Sequence, residues 1–258
     1  MAKARTPRPR RRRADPAALA RRQLAAAFRW AARLGFHEGT CNHFSLKVLG
    51  REDRYLINPH GVHFSEMRAS DLLVVDAQGR VIEGKHPIEE TAFFIHSRIH
   101  RSNQDAKCVL HTHMPYATAL TMIEGGRLEP CLQTSLRFYG RVAYDDDFGG
   151  YNGLVLDTEE GDRICRALGD KRVLMLANHG VIVAAPTVAE AFDDLYYLER
   201  AAQAQVIAMS TGRKLRLVGD NVAALTRDQM LKDGELYARV HFNALCRILD
   251  RESPEYAR

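Results

Sequence analysis

The strongest apolar stretch of the chain, Val173 to Pro186, is broken in its middle by Asn178-His179-Gly180. That interruption removes the best candidate for a bilayer span, since no uninterrupted apolar run approaches the roughly 18–20 residues such a helix needs. It also divides the stretch into two β-rich runs, Arg172 to Ala177 and Val181 to Ala185. The polar step between them has no packing justification, and Gly180 lets the backbone turn sharply or approach a neighbour closely. A soluble protein follows. With 258 residues, 46% hydrophobic and 27% charged, the chain has ordinary globular composition and enough length for a sizeable core, which excludes a collagen-like repeat and disorder throughout.

The remaining pattern alternates helix and strand signals. Asp15-Pro16 supplies a cap and a first-turn proline for a helix that runs to Leu34, with Gly35 placed to end it. Cys41 to Val48 and Tyr55 to Asn58 read as strands. Leu72 to Val75 and Arg80 to Glu83 read as a hairpin closed by Asp76-Ala77-Gln78-Gly79. Ile88, Ala92, Ile95 and Ile99 form one apolar helical face. Lys107 to Thr112 is another β-rich run. Thr187-Val188-Ala189-Glu190 is a capping box that opens a helix to about Met209, and Thr226-Arg227-Asp228-Gln229 repeats the signature before a C-terminal helix. Lys214 to Ala224 has the least ordered pattern. With no long linker, residues 16–258 are expected to form one α/β domain with a mixed sheet.

Charge and cysteine usage narrow the partners. Of the 37 Lys and Arg, seven lie in residues 1–13, which hold no acid; the other 245 residues carry 30 against 32 Asp and Glu, a net of −2. The basicity belongs to a Pro- and Arg-rich tail, residues 1–15, expected to be disordered. It lacks the apolar core of a secretory signal. A nucleic-acid-binding reading rests on that tail alone, and no membrane partner is expected. The five cysteines are odd in number and show no C-x-x-C spacing. This points to reduced thiols in the cytoplasm and away from a Cys-type zinc site.

The chemistry lies in the histidines, eleven in all. In His111-Thr112-His113 the two imidazoles share one face of a strand, near the end that Pro115 marks. Alone, this step fits two surface histidines equally well. His179, in the polar step of the apolar stretch, strengthens a metal reading: three histidines with an open fourth position suit a catalytic zinc that acts as a Lewis acid. Glu89 and Glu90, after Pro87 at a helix start, are the candidate bases, although acids there also favour the helix dipole. His96 and His100, offset from that helix's apolar stripe, read as structural or surface residues, with contacts to the metal ligands as the alternative.

Several segments, in order, resemble the class II aldolase/adducin family: Glu38-Gly39-Thr40-Cys41-Asn42-His43-Phe44-Ser45, Leu56-Ile57-Asn58-Pro59-His60-Gly61, Ile95-His96 with Ile99-His100, Val109 to His113, Asn178-His179-Gly180, Ala189 to Phe192 and Tyr196 to Arg200. The likeness covers roughly residues 17–215 and is nearest to the adducin-like bacterial branch. It implies a three-layer αβα fold with a central mixed, mostly antiparallel sheet, in a homotetramer with sites at subunit interfaces. It places the metal ligands on His111, His113 and His179. The family's Pro-Ser-Ser-Glu pattern becomes Pro87-Ile88-Glu89-Glu90, which puts the acid/base on Glu90, with Glu89 kept open. Tyr144 falls near the aldolases' proton-donating tyrosine. Of the phosphate-binding pairs, Asn42 survives, Cys41 replaces a glycine, and His60-Gly61 replaces Thr-Gly.

Ile88 and Glu89 stand where the aldolases carry serines, and a carboxylate there would repel a phosphate dianion. An unphosphorylated hydroxy-carbonyl or carboxylic acid substrate is therefore expected, with His43 and His60 as candidates to recognise an acid. The leading function is a metal-dependent carbon–carbon lyase, working by retro-aldol cleavage or decarboxylation through a metal-stabilised enolate. The same site also suits dehydration or epimerisation. Glu90 would move the proton, and burial should raise its pKa. Zinc is the leading ion, with manganese, cobalt and iron as alternatives. The rival reading is a non-catalytic adducin-like interaction module.

Overall fold

A computed structural model of the protein describes residues 15–258, except for the side chain of Glu52; the basic stretch at residues 1–13 lies outside the described residues. The elements in chain order are α1 (Pro16–Leu34), β1 (His43–Val48), β2 (Arg51–Ile57), β3 (Leu73–Asp76), β4 (Val81–Glu83), α2 (Glu90–Ser102), β5 (Cys108–Thr112), α3 (Pro115–Thr121), α4 (Gln133–Leu136), β6 (Val142–Tyr144), α5 (Thr158–Leu168), β7 (Val173–Leu176), β8 (Gly180–Ala185), α6 (Val188–Met209), α7 (Asp220–Leu231) and α8 (Gly234–Glu252).

The strands form one eight-stranded sheet in the order β4-β3-β2-β1-β5-β8-β7-β6. Every pairing is antiparallel except β6 with β7. Helices cover both faces, because the central strands are buried on both sides and each face needs an apolar partner. On one face Phe28 of α1 and Phe192, Leu195 and Leu198 of α6 pack with Phe44, Leu110 and Val183. On the other, Ile95 and Ile99 of α2 and Ile164 and Leu168 of α5 pack with Val109, Leu174 and Ile182. This is the expected three-layer αβα arrangement.

Local signals explain most boundaries. The Asp15 carboxylate accepts from the Ala17 amide, Pro16 occupies the first turn, and Gly35 ends α1 in the left-handed conformation. At the start of α6 the Thr187 hydroxyl accepts from the Glu190 amide and donates to the Glu190 carboxylate. Asp76 holds the β3–β4 turn by accepting from the Gln78 and Arg80 amides.

Some expectations are corrected. The second predicted strand begins earlier, at Arg51, and ends at Ile57. Thr226 starts no helix: it lies inside α7, where its hydroxyl donates back to the Val222 carbonyl. Asp220 to Ala224, read from sequence as poorly ordered, is the first part of that helix. Among the described residues no helix is long and apolar enough to cross a membrane.

The register decides where chemistry gathers. His43 at the start of β1 lies directly across from His111 near the end of β5. His111 in turn faces Ile182 of β8, whose first residue, Gly180, leaves the β7–β8 turn. One end of the sheet's middle strands therefore carries His43, His111, His113 and His179.

Candidate metal centre

The β7–β8 turn is built to bring His179 to β5. Asn178 adopts a left-handed conformation at φ 56°, tolerable because its short polar side chain costs less there than a bulkier one. A Cβ on Gly180 would lie 2.6 Å from the Thr112 carbonyl oxygen and 2.8 Å from the His113 ring, so only glycine lets the two strands approach this closely. The result is a triangle of imidazoles. Ring centroids are 5.0 Å apart for His111 and His113, and 4.8 Å apart from each of them to His179. One ligand nitrogen from each lies within 4.8 Å of the others.

Hydrogen bonds fix which nitrogens face inward. His111 Nδ1 lies 3.0 Å from the Val181 carbonyl, which can only accept, so Nδ1 carries the proton. His113 Nδ1 lies 2.5 Å from a Glu38 carboxylate oxygen, with the same consequence. Both Nε2 atoms then hold bare lone pairs, yet they face each other at 3.2 Å. A proton between them would require an imidazolium, which burial opposes at His111, leaving a His113–Glu38 ion pair as the alternative to a metal. A cation resolves the conflict. Two nitrogens roughly 2.0–2.1 Å from a tetrahedral zinc stand roughly 3.4 Å apart, close to what is seen. The residues present fit a divalent metal, and Glu38 and Val181 provide the outer contacts that orient its ligands.

Burial also lowers His179, to about 4, and His43, to about 3. His43, His111 and His179 are therefore neutral near pH 7.

The acids separate sharply. Glu89 is half-buried and caps α2, accepting from the Ala92 amide at 2.8 Å, from the Thr91 amide and from the Thr91 hydroxyl. Burial acts to raise its pKa, but the Thr91 hydroxyl and these amides outweigh it, helped by His43, and hold the carboxyl below its usual range. Of the two candidate acids, the half-buried Glu89 interacts with His43, while Glu90, one residue on, is exposed.

The other candidates lie around this centre. Asn42 is buried; its Oδ1 accepts from the Glu38 amide at 2.8 Å, while its Nδ2 is buried with no partner. His60 and Gly61 are exposed on the loop after β2, which the His60 amide ties to the Pro87 carbonyl just before Glu89. Tyr144 is apart from the triangle: its hydroxyl accepts from the Leu128 amide, and Arg127 lies over its ring at 4.1 Å. It shares with Asn178 the lining of a cavity of about 330 Å³. His96 and His100 are buried, not surface residues; His96 bonds His43 directly, and Ser45 links His96 to His100.

Two residues escaped the sequence reading. Glu38 stood in a quoted motif without a role, and nothing local marks it as a histidine partner. Tyr151, half-exposed in the loop after β6, has its ring 6.2 Å from His179.

A three-layer sheet with three histidines converging at the end of its central strands defines a class of fold and site. The chain belongs to the family described as class II aldolase and adducin N-terminal domain, whose profile matches residues 22–206. It is 38% identical over 241 residues to a Caulobacter vibrioides chain provisionally named an aldolase class 2 protein, spanning 92% of this chain and 91% of that one. Among solved structures, an aldolase II superfamily protein from Pseudomonas syringae superposes with a TM-score of 0.88 and 35% identity, covering 96% of this chain and 98% of that one. An L-fuculose 1-phosphate aldolase from Glaciozyma antarctica superposes with a TM-score of 0.82 and 26% identity, covering 93% and 92%.

Proposed function

We propose that this protein is a metal-dependent carbon–carbon lyase that holds one divalent ion, zinc foremost, on His111, His113 and His179. The observation that carries the reading is the pair of bare Nε2 atoms of His111 and His113, facing each other at 3.2 Å. Manganese, cobalt and iron also suit a nitrogen-rich site. When bound, the ion supplies Lewis-acid polarisation of a substrate carbonyl. Glu89, ionised and coupled to His43, takes the proton from the hydroxyl whose carbon becomes a carbonyl, and returns it after the bond breaks. The buried Asn42 amide and the His60-Gly61 loop border the substrate. Tyr144 and Tyr151 are candidates to donate a hydrogen bond to the oxygen of the departing carbonyl fragment, which needs no further proton.

The substrate is small and unphosphorylated. Pro87 and Ile88, which lead into Glu89, offer no hydroxyl to hold a phosphate. Retro-aldol cleavage and decarboxylation both fit. Exposed Leu217, Val222, Leu225, Leu236, Tyr237 and Val240 on and beside α7 and α8 support association into a homotetramer. All five cysteines are free, which supports a cytoplasmic setting.

The test is bound metal per chain in dialysed protein, compared with a His111→Ala/His113→Ala variant. Near one equivalent in the parent and almost none in the variant is expected, followed by cleavage of a hydroxy-keto substrate in a screen. No metal in either, even after reconstitution with zinc and manganese, overturns the lyase in favour of an adducin-like interaction module.

A further inference from the structure

Behind the metal centre lies a buried chain of polar side chains that the proposed chemistry does not use. His100 Nδ1 lies 2.6 Å from the Ala106 carbonyl, and His100 Nε2 lies 2.7 Å from the Ser45 hydroxyl oxygen. That oxygen also contacts His96 Nδ1, and His96 Nε2 lies 2.7 Å from His43 Nδ1. Tyr55 stacks on His100 with its ring centroid 4.8 Å away, which fixes the far end. All the polar members are buried, so each imidazole is neutral and carries one proton.

The direction of every bond then follows from its far end. A carbonyl only accepts, so the His100 proton is on Nδ1 and its Nε2 must accept. Ser45 therefore spends its single hydroxyl proton on His100. Its oxygen can only accept from His96, which places that proton on His96 Nδ1 and leaves His96 Nε2 as an acceptor. His43 must donate from Nδ1. What remains is a bare His43 Nε2, which has no hydrogen-bond partner among the described residues and is not enclosed. The ring centroid lies 4.8 Å from that of His111, so His43 borders the metal centre. The chain cannot carry protons to water, because it ends on a backbone carbonyl that has no proton to exchange. Its consequence is to orient.

We propose that His43 is a specificity-determining residue, held by His96, Ser45 and His100 as an obligatory hydrogen-bond acceptor, and that it selects a hydroxyl-bearing carbonyl substrate over a carboxylate or phosphate. A bare imidazole nitrogen receives a hydroxyl proton well and is repelled by an anionic oxygen, which offers no proton. This rests on the lyase reading for the presence of a substrate there, and it reverses the sequence expectation that His43 recognises an acid. His96, Ser45 and His100 are positioning residues.

The experiment uses the full-length, zinc-loaded chain with nitrogen-15-labelled histidine, read by two-bond proton–nitrogen correlation, with the bound zinc measured in the same sample. In the parent, His43, His96 and His100 should each show a protonated Nδ1 and a bare Nε2. Adding hydroxyacetone should shift His43 Nε2, and adding pyruvate, its carboxylate counterpart, should not. Ser45→Ala should turn part of the His96 and His43 population to the other tautomer while zinc content stays at the parent's level. A protonated His43 Nε2 in the parent overturns the proposal, and so does a His43 Nε2 that moves on zinc loading alone, as a fourth ligand would. A response to pyruvate, or none to hydroxyacetone, overturns the selectivity. Should Ser45→Ala fail to fold, the parent spectra still decide. A parent that holds no zinc counts against the lyase reading, while its histidine tautomers still test the chain.

Discussion

At the residue scale the centre depends on which nitrogen of each histidine is free, and that is decided by the partner of the other nitrogen. Glu38 bonds His113 Nδ1 although its own side chain is 70% exposed. Removing its charge should weaken ligand orientation without removing a ligand: Glu38→Gln is expected to lower zinc affinity by roughly 10–100-fold, measured by competition with a chelator. The two neighbouring acids make a second contrast. Glu89→Gln should lower turnover of a cleavable substrate by roughly 10²–10⁴-fold, whereas Glu90→Gln should leave it near the parent value. Equal losses in steady-state assays of the two variants would return the acid/base role to Glu90. The histidine ligands were legible in the sequence, because i and i+2 in a strand share a face wherever the strand packs. Their partners were not, since Glu38 lies on another element and reaches His113 only through the fold.

At the element scale the β7–β8 turn does the most to set the geometry. Gly180→Ala would drive a methyl against the Thr112 carbonyl and the His113 ring, so it should destabilise the protein by about 1–3 kcal/mol in denaturant titration and weaken metal binding together with it. Helix ends show where local reading succeeds and fails. The Thr187 cap was legible and real, its hydroxyl accepting from the Glu190 amide, although the reciprocal bond of a full capping box is replaced by one from the Thr187 hydroxyl to the Glu190 carboxylate. Thr226, with the same spacing, sits mid-helix because its hydroxyl can equally donate to the carbonyl four residues back. Conversely, α5 has a cap that the sequence reading passed over, Asp157 accepting from the Glu160 amide at 2.9 Å. A capping pattern states what a side chain can do; the surrounding packing selects which option is used.

At the scale of the whole molecule the buried histidines couple stability to pH. His43 and His100 are pulled down to about 3 in the folded protein from 6.5. The unfolded chain therefore binds protons that the native state refuses, and the stability they leave intact above pH 6.5 is lost as pH falls toward 3. From these two alone the unfolding free energy should drop by about 2 kcal/mol between pH 6.5 and 5.5. Urea titrations across that interval would show it, and a flat profile would mean that these imidazoles titrate in the native state as they do in the unfolded chain. Deleting residues 1–13 should abolish any binding of nucleic acid, as read by gel shift, while metal content and cleavage stay unchanged. Their charge is confined to the tail, and the rest of the chain is nearly neutral.

The sequence by itself determined a single α/β domain with a mixed sheet, most of its strands and the three candidate histidines, because alternation, capping residues and the i, i+2 spacing are local properties. The three-layer αβα plan came from the resemblance of whole segments to a family. Only the tertiary structure decided that Glu89 and not Glu90 faces the histidines, that Glu38 orients His113, and that Ser45, His96 and His100 fix His43 as an acceptor. Each of those depends on how α2 is rotated against the sheet and on the register that sets His43 across from His111. Rotation and register come from the summed packing of distant elements, so no short stretch of sequence encodes them.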